Sequence, residues 1–259
     1  MPEGWQLPSL YELVAAPHWQ AVEFISDLHL ADADGATFAA WARHMRSTRA
    51  DAVLILGDLF EAWVGDDARG EPFEAACVDV LADASSRLQV GFMVGNRDFL
   101  VGGAMLRDAG AIGLQDPTLL VAFGRRVLLT HGDLLCLADV EYQRFREQAR
   151  SDAWRRAALA MPIAQRRVVA RQMRDASQQR QQGAAATTTD VDPGAAVAWM
   201  HAAGCSHMVH GHTHRPGDET LAVGHERHVL SDWDLDASPP RAEVLRLTRD
   251  GFSRVPPVG

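Results

Sequence analysis

Lysine is absent from this 259-residue sequence, in which all 25 basic side chains are arginine. Any mechanism that needs a lysine is therefore excluded, and we attribute the bias itself to genomic base composition rather than to function. The 34 acidic residues outnumber the arginines, and the formal net charge of −9 argues against nucleic-acid binding by the surface as a whole. We therefore expect no nucleic-acid partner.

Cysteine is scarce as well: Cys77, Cys136 and Cys205 are widely spaced, and no CxxC pair occurs. This pattern argues against a disulfide framework and a structural zinc site, and it fits a reducing compartment. Long apolar runs are also missing, since none approaches the ~18–20 residues that span a bilayer. Residues 1–20 lack the basic start and apolar centre of a signal peptide. We expect a cytoplasmic protein that is soluble or attached at most to a membrane surface.

Apolar segments alternate with helical patterns along most of the chain. Apolar residues make up 47% of it, which is enough for one large domain or a domain with an insertion. Residues 1–20 are interpreted as an N-terminal extension with a short helix around 10–15, and the main domain follows over 21–259. Strands that alternate with helices indicate a layered α/β architecture. We predict strands over 21–26, 52–58, 89–96, 126–132 and 207–214, and helices over 36–49 and 73–87.

Each predicted strand ends in polar side chains or is directly followed by them. Ligands gather at strand ends in open α/β sheets, so we expect the five ends to share one site. Asp27 and His29 point the same way because residues two apart lie on one face of a strand. Asp58 is placed to bridge two metal ions, which lie ~3.5–4 Å apart in dinuclear sites. The other donors are the neutral oxygen of Asn96 and the imidazoles of His131, His212 and His214.

This donor set contains no thiolate, which suits Mn, Fe, Zn or Co better than copper or an iron–sulfur cluster. The order Asp-x-His, Gly-Asp, Gly-Asn, His-Gly and Gly-His-x-His over 24–214 resembles the calcineurin-like metallophosphoesterase superfamily. The resemblance implies a four-layer β-sandwich flanked by helices, with catalytic roles for Asp58, Asn96, Arg97 and His131. It also implies that one metal is held by Asp27, His29, Asp58 and His214, and the other by Asp58, Asn96, His131 and His212.

Arg97 is a departure from the superfamily pattern, because many members have a histidine there that assists the leaving group. An arginine is not a general acid near neutral pH, but its guanidinium can clamp phosphate oxygens. Its segment GNRDFL resembles the UDP-2,3-diacylglucosamine hydrolases of lipid A biosynthesis, as do ISDLHL, ILGDLFEAWVGDD, HGDLLC, HGHTHRP and the Tyr142–Gln143 pair. This likeness covers roughly 24–216, and VLSDWD (229–234) resembles a variant of that family's closing strand.

The likeness to these hydrolases implies removal of UMP from UDP-2,3-diacylglucosamine, by attack of water on the α-phosphorus, with release of 2,3-diacylglucosamine 1-phosphate. It further implies two Mn²⁺ ions per chain and peripheral attachment to the cytoplasmic face of the inner membrane, and we expect a monomer. The family's lysine on the insertion helix aligns with Ala184, so we expect Arg174 or Arg180 to take its role. The substrate contacts carried over are Asn96, Arg97, Asp139, Tyr142, Arg174, Ser177, Gln181 and His212.

Residues 139–203 interrupt the alternation with an almost continuous helical pattern. Between Asp139 and Arg180 the sequence has ten arginines against five acids, a local charge of +5 on a chain whose remainder is acidic. One interpretation is a lid that shields acyl chains with an apolar face and meets anionic lipid with its arginines. The other is a set of helices that only closes the core, with the arginines on solvated faces.

Two other functional classes stay open at this point. A nuclease or a nucleotide or phosphoprotein phosphatase would share the fold, although Arg97 and the basic insertion speak against it. A non-catalytic scaffold would have lost metal ligands, whereas all seven positions carry competent side chains.

Several further polar residues are expected to be structural. The loop acids Glu61, Asp66 and Asp67 are expected to be solvated, and Trp63 either walls the site or packs. His210 is expected to pack or to support the site. The histidines without a partner pattern are His44, His201, His225 and His228.

Overall fold

The computed structural model describes the backbone of residues 6–183 and 190–258, and the side chains of the same residues except 177–183. The described residues form twelve strands and seven α-helices. The strands are β1 Tyr11–Val14, β2 Ala21–Ile25, β3 Ala52–Leu56, β4 Gln89–Met93, β5 Ile112–Leu114, β6 Thr118–Ala122, β7 Arg125–Thr130, β8 His207–His210, β9 Gly217–Ala222, β10 His225–Val229, β11 Val244–Thr248 and β12 Gly251–Val255. The helices are α1 Ala36–Ser47, α2 Pro72–Ser85, α3 Gly103–Asp108, α4 Val140–Ala149, α5 Asp152–Leu159, α6 Ile163–Gly183 and α7 Pro193–Ala203.

The strands form two six-stranded sheets. Sheet one has the order β1-β6-β7-β8-β10-β9, and sheet two has the order β12-β11-β2-β3-β4-β5. In sheet two, β2, β3 and β4 run parallel, and in sheet one β7 and β8 run parallel. The carboxyl ends of these five strands therefore lie at one edge of the sandwich, which is where the predicted polar clusters follow them.

The core occupies the space between the sheets and the space beneath the helices. Leu119 and Leu120 of β6 show the division, because successive strand residues face opposite sides. Leu120 packs against sheet two, whereas Leu119 packs with Trp199 and Met200 of α7. On the far side of sheet two, α1 and α2 cover Val53 and other strand residues. The order helices, sheet, sheet, helices confirms the predicted four-layer β-sandwich.

The predicted helix around residues 10–15 is wrong, because this segment forms β1. Residues 11–14 pair in parallel with β6, in register from Thr118 to Val121. Leu13 packs into the cluster between the sheets. The unpaired edge of β6 offers backbone hydrogen bonds to an extended neighbour, and such a long-range partner is invisible in local sequence.

The predicted segment VLSDWD (229–234) is a strand only at Val229, where β10 ends. The seven other strands and helices predicted over 21–132 and 207–214 are all present. The prediction missed β5, β6, β9, β11 and β12, and all of β10 except Val229. Of these, β5 has three residues, and β9 and β12 are half-exposed. Such strands carry a weak apolar alternation, so periodicity does not reveal them.

The helical insertion divides into two parts. Helix α7 packs on sheet one through Ala195, Ala196, Trp199 and Met200, so it belongs to the outer helical layer. Helices α4, α5 and α6 instead stand over the edge at which the five strands end. We call these three helices the cap.

Candidate active site

The strand ends bring the seven predicted metal ligands to one place, at the edge of both sheets. On one side, His29 Nε2 lies 3.2 Å from His214 Nε2, and His214 Nε2 lies 3.4 Å from Asp27 Oδ1. These three residues offer donor atoms that all lie within 4.8 Å of one another. They come from the ends of β2 and β8, which belong to different sheets, so the site depends on the sandwich as a whole.

The second half of the site is built around Asn96. Its side-chain oxygen lies 3.0 Å from His131 Nε2 and 2.8 Å from His212 Nδ1. Asp58 Oδ2 lies 3.7 Å from His131 Nε2. Donor atoms of Asp27, Asp58 and His131 also fall within 4.8 Å of one another, which joins the two halves into one continuous cluster.

The backbone is strained where these donors lie. Of the six non-glycine residues with positive φ in the described part of the chain, five are predicted ligands. Left-handed conformation costs a non-glycine residue ~1–3 kcal/mol and persists where the surroundings impose it, most often at functional sites. Here the chain turns sharply after each strand and so aims the side chains at a common point. The five are Asp27 (55°), His29 (48°), Asp58 (54°), His212 (66°) and His214 (52°).

Two glycines allow the loops to approach the carboxylates closely. A Cβ on Gly95 would overlap Oδ1 of Asp58, and a Cβ on Gly211 would overlap Oδ2 of Asp27. The Gly-Asn and Gly-His motifs therefore need glycine for space as well as for flexibility. Asp27 Oδ2 is further held by hydrogen bonds from Ser26 Oγ (2.5 Å) and the His212 amide (2.9 Å).

Charges at the site are strongly coupled. Burial alone would raise the pKa of Asp27, but the hydrogen bond and charge of His214, with His131 and His29, hold it well below its ordinary value. Burial lowers the pKa of His131, yet the carboxylates of Asp58, Asp133 and Asp27 outweigh it and raise the pKa to about 9. Burial and the neighbouring His131 lower the pKa of His212 to about 3. The carboxylates therefore favour positive charge at the site.

The side chains of this cluster are suited to bind divalent metal ions, which supply that positive charge. Asp27 Oδ1 is buried, and its polar neighbour among the described residues is His214 Nε2 at 3.4 Å. Two donors bound to one ion at ~2.1 Å lie ~3.0–3.4 Å apart in octahedral or tetrahedral geometry, and the observed spacings of 2.8–3.7 Å bracket that range. His131 Nδ1 lies 2.9 Å from the Leu56 carbonyl, so an N–H there donates and Nε2 is left to bind.

Asp98, in the GNRD segment, ties the Asp58 loop to the Asn96 loop. Its Oδ2 accepts from the Leu59 amide at 2.9 Å, and its Oδ1 accepts from the Gly95 amide at 2.7 Å. Burial, followed by the charge of Asp58, raises the pKa of Asp98 to about 7. The prediction assigned it no role, although a buried acid directly after a strand-end motif was a usable signal.

Asp133 attaches the cap to the site and was also missed. Its Oδ2 accepts from Tyr142 Oη at 2.6 Å, Arg146 Nε at 2.7 Å and Arg150 Nη2 at 3.3 Å. The same Arg150 nitrogen donates to the Gly95 carbonyl at 2.9 Å. Burial opposes the ionised form of Asp133, but Arg146 and Arg150 keep its pKa well below the ordinary value. The first cap helix is therefore anchored to two ligand-bearing loops.

Of the loop acids after β3, Glu61 and Asp66 are partly buried and engaged rather than solvated, whereas Asp67 is exposed and also paired. Glu61 Oε2 lies 3.3 Å from His29 Nδ1, so it orients that imidazole. Asp66 accepts from the amides of Gly102, Ala104 and Met105 at the start of α3 and from Trp63 Nε1. Asp67 pairs with Arg166 of α6. Apart from Trp63, which is three residues from Asp66, these partners lie 32 to 99 residues away along the chain, so sequence alone does not show them.

A cavity of about 570 Å³ adjoins the ligand cluster, between the sandwich edge and the cap. Asn96 belongs to its wall as well as to the cluster, and Arg97 lies beside it. Trp63 is both buried and part of the wall, so the two roles considered for it are combined. The rest of the wall is mainly apolar and includes Val64, Phe99, Leu100, Phe145, Trp154, Ala158, Met161, Val169, Ala170 and Met173.

The predicted substrate contacts fall into three groups. Asn96, Arg97, Tyr142 and Arg174 line the cavity, and His212 lies in the ligand cluster. Asp139 instead caps the N-terminus of α4, where its side chain accepts from the Tyr142 amide at 3.0 Å. Four residues named in the prediction lie outside the described side chains. They are the contacts Ser177 and Gln181, the candidate replacement Arg180, and Ala184, which aligns with the family lysine.

Comparison with known proteins agrees with this arrangement. Residues 22–216 match the calcineurin-like phosphoesterase family. The chain is 44% identical over 242 residues to a UDP-2,3-diacylglucosamine hydrolase of Xanthomonas axonopodis pv. citri, covering 89% of this chain and 96% of that one. It is 43% identical over 249 residues to a UDP-2,3-diacylglucosamine hydrolase of Ralstonia nicotianae, covering 92% of each chain. Vps29 of Entamoeba histolytica, solved with Zn²⁺, superposes with a TM-score of 0.46 at 12% identity, covering 91% of this chain and 98% of that one.

Proposed function

Because the chain belongs to the calcineurin-like phosphoesterase family and, within it, to the UDP-2,3-diacylglucosamine hydrolases, we propose that it hydrolyses the pyrophosphate bond of UDP-2,3-diacylglucosamine. The products are UMP and 2,3-diacylglucosamine 1-phosphate. The observation that carries this proposal is the apolar cavity that opens onto the ligand cluster at Asn96 and Arg97. The acyl chains of a diacylated sugar phosphate need an apolar cavity beside the ligand cluster, because each CH₂ group that is exposed to water costs ~0.8 kcal/mol.

The proposed cofactor is a pair of Mn²⁺ ions. Asp27, His29, Asp58 and His214 would hold one, and Asp58, Asn96, His131 and His212 would hold the other. When bound, the pair supplies Lewis-acid charge to the phosphoryl oxygens and a water of lowered pKa. Glu61 holds the His29 ring through Nδ1, and the Leu56 carbonyl holds the His131 ring, so both rings present Nε2 to the site.

Arg97 binds the diphosphate in this proposal. Its Nε is buried and has no hydrogen-bond partner within residues 6–176 and 190–258, and its Nη1 lies 3.9 Å from Glu61. A guanidinium with unused donors beside the ligand cluster matches the oxygens of a phosphate. Arg174 faces the same Glu61 from α6, with Nη1 at 3.7 Å, and in this proposal it takes the role of the family lysine that aligns with Ala184.

Release of UMP from UDP-2,3-diacylglucosamine by the purified, Mn²⁺-loaded chain tests the proposal. We expect turnover with the lipid substrate, and turnover lower by on the order of 100-fold or more with the Asp58→Asn variant. Hydrolysis of bis(4-nitrophenyl) phosphate without any release of UMP would favour another phosphodiester or a nucleotide as the substrate. Absence of both activities in a purified chain that binds no metal would support the scaffold alternative.

The proposal extends to the membrane surface, where a monomer acts at the cytoplasmic face of the inner membrane. None of the helices in the described ranges is long and apolar enough to cross a bilayer. Support for peripheral contact comes from the cap, where Val140, Leu159 and Val168 are exposed. Arginines lie on the same helices, and each adds ~1 kcal/mol of attraction near an anionic surface.

Vesicle sedimentation tests the membrane contact separately from hydrolysis. The wild-type chain is expected to sediment with phosphatidylglycerol vesicles and not with phosphatidylcholine vesicles. Leu159→Asp with Val168→Asp should abolish sedimentation. Val223→Asp is the matched control, because Val223 is 99% exposed on the turn between β9 and β10, away from the cap. Equal loss in the control variant would contradict a specific role for the cap.

A further inference from the structure

Four polar side chains gather at the opposite end of β8 from the ligand cluster. His207 begins β8, Glu226 and His228 lie on its parallel neighbour β10, and Asp218 lies on β9. Glu226 is the register partner of His207, and His228 lies two residues further along β10. The three residues His207, Glu226 and His228 therefore share one face of sheet one. None of them is used by the proposed hydrolysis.

The spacing of the donor atoms suits a single metal ion. His207 Nδ1 lies 3.2 Å from His228 Nε2 and 3.7 Å from Glu226 Oε2. Donor atoms of all three lie within 4.8 Å of one another. Two imidazole nitrogens on a tetrahedral Zn²⁺, with Zn–N of ~2.0–2.1 Å, lie ~3.3 Å apart. The imidazole pair is thus already at the separation that coordination requires.

The His228 ring is fixed with its lone pair toward this point. Its Nδ1 lies 2.8 Å from Asp218 Oδ1, so the N–H donates to that carboxylate and Nε2 is left to accept. Arg254 holds the same carboxylate, with Nη2 2.7 Å from Oδ1. The Phe252 ring packs 4.1 Å from the His228 ring centre. A carboxylate that orients a histidine from behind is the usual support for a metal ligand.

The surroundings of the cluster leave it accessible to a cation. Glu226 is half-exposed and leaves an approach from solvent. Arg254 is already paired with Asp218 and Glu243. The charge that opposes a cation is Arg125, whose charge reaches His207.

We propose that His207, Glu226 and His228 form a divalent metal site, best suited to Zn²⁺, that is separate from the hydrolytic centre. Two imidazoles and one carboxylate supply three of four tetrahedral positions, and water from the open side supplies the fourth. A bound ion joins β8 to β10 by side chains as well as by backbone hydrogen bonds. Its function is therefore to stabilise the edge of sheet one.

Equilibrium dialysis of the full chain against Zn²⁺, followed by elemental analysis, tests the site. The wild-type chain is expected to retain one equivalent of Zn²⁺ more than the Glu226→Gln variant. In that variant the Zn²⁺ affinity of this site is expected to fall at least ~10-fold. Glu226 is half-exposed, so this variant keeps the fold. His207→Asn should give the same loss. His225→Asn is the matched control on the same hairpin and should retain the wild-type stoichiometry.

A variant with the opposite effect makes the test sharper. Arg125→Gln removes the opposing charge and should tighten Zn²⁺ binding at this site severalfold. Hydrolysis of bis(4-nitrophenyl) phosphate should be unchanged in all these variants, which separates this site from the proposed function. Equal Zn²⁺ content in wild type, Glu226→Gln and His207→Asn would overturn the proposal and leave His207 and His228 as a hydrogen-bonded imidazole pair.

Discussion

The main-chain amide of Arg97 donates a hydrogen bond to Oδ1 of Asp58 at 2.8 Å. The other oxygen of Asp58 faces His131 Nε2 at 3.7 Å. One backbone loop therefore positions both the carboxylate proposed to bridge the metals and the guanidinium proposed to bind the diphosphate. Geometry at the metals and geometry at the phosphate are linked through this contact.

Asp58→Asn is expected to lower turnover by on the order of 100-fold or more, since loss of a group that merely orients a ligand already costs ~10–100-fold. The amide keeps the shape and removes the shared negative charge. Steady-state UMP release and metal content per chain are measured together. The exposed Asp34→Asn serves as the control and should match the wild type. An active Asp58→Asn variant that still binds two metals would rule out the bridging role.

Arg97→Lys is expected to lose most of the activity while metal content and melting temperature stay unchanged. Lysine keeps the charge but does not reproduce a two-pronged contact with phosphate oxygens. Arg69→Lys is the control, because Arg69 forms an exposed ion pair with Asp108 at 2.5 Å, away from the cavity wall. A fall in melting temperature with Arg97→Lys alone would instead identify Arg97 as a structural ion-pair residue.

The double variant Val169→Asp with Met173→Asp is expected to abolish hydrolysis of the lipid substrate and to spare hydrolysis of bis(4-nitrophenyl) phosphate. Both side chains line the cavity, so carboxylates there would be buried against acyl chains. Gln165→Asp with Gln172→Asp introduces the same two charges on the same helix at exposed positions and should leave both activities intact. Parallel loss of both activities and of melting temperature would mean that the cap only closes the core.

Chelation of the metals with EDTA is expected to lower the melting temperature. Ions bound a thousandfold above their dissociation constant stabilise the folded state by ~4 kcal/mol, and they offset the repulsion between the buried Asp27 and Asp58. The measurement compares Mn²⁺-loaded and EDTA-treated chain by differential scanning calorimetry. Asp58→Asn, which changes the ligand assigned to both ions, should remove most of the difference. Identical melting curves with and without EDTA would contradict the metal assignment.

Glu23→Gln is expected to lower the free energy of unfolding by about 3 kcal/mol at pH 7. Burial raises the pKa of Glu23, but hydrogen bonds from His44, Arg246 and Thr48 outweigh it and leave the pKa below its ordinary value of 4.5. Glu23 therefore contributes its full stabilisation above pH 4.5 and loses it as the pH falls through the lowered folded value.

Urea unfolding of wild type and Glu23→Gln between pH 7 and pH 3 measures this dependence. The difference between the two should be largest at pH 6–7 and shrink below pH 4.5. Glu12→Gln, at a half-exposed position paired with Arg126 at 3.6 Å, is the control and should show little difference at any pH. A constant difference across the range would contradict the titration of Glu23.

Most of the candidate site was predictable because its signals are local. Asp27, Asp58 and Asn96 each follow an apolar strand within a few residues, and parallel strands end at a common edge. Composition by itself also excludes lysine chemistry. The cavity wall was partly predictable too, since Val169 and Met173 recur at helical spacing on α6.

Other features depend on contacts between distant parts of the chain. Whether residues 11–14 form a helix or a strand is decided by the free edge of β6, more than 100 residues away. Asp133 gains its role only when α4 folds back and brings Tyr142, Arg146 and Arg150 onto one oxygen.

The pairing of His207 with His228 shows the same limit. The two residues have no common motif, and they meet because β8 and β10 pair in parallel, in a register that places Glu226 beside His207. Local sequence determines which residues stand at strand ends and which face of a helix is apolar. Strand order, register and docking arise from burial and backbone hydrogen bonding summed over the whole chain, so only the tertiary structure decides them.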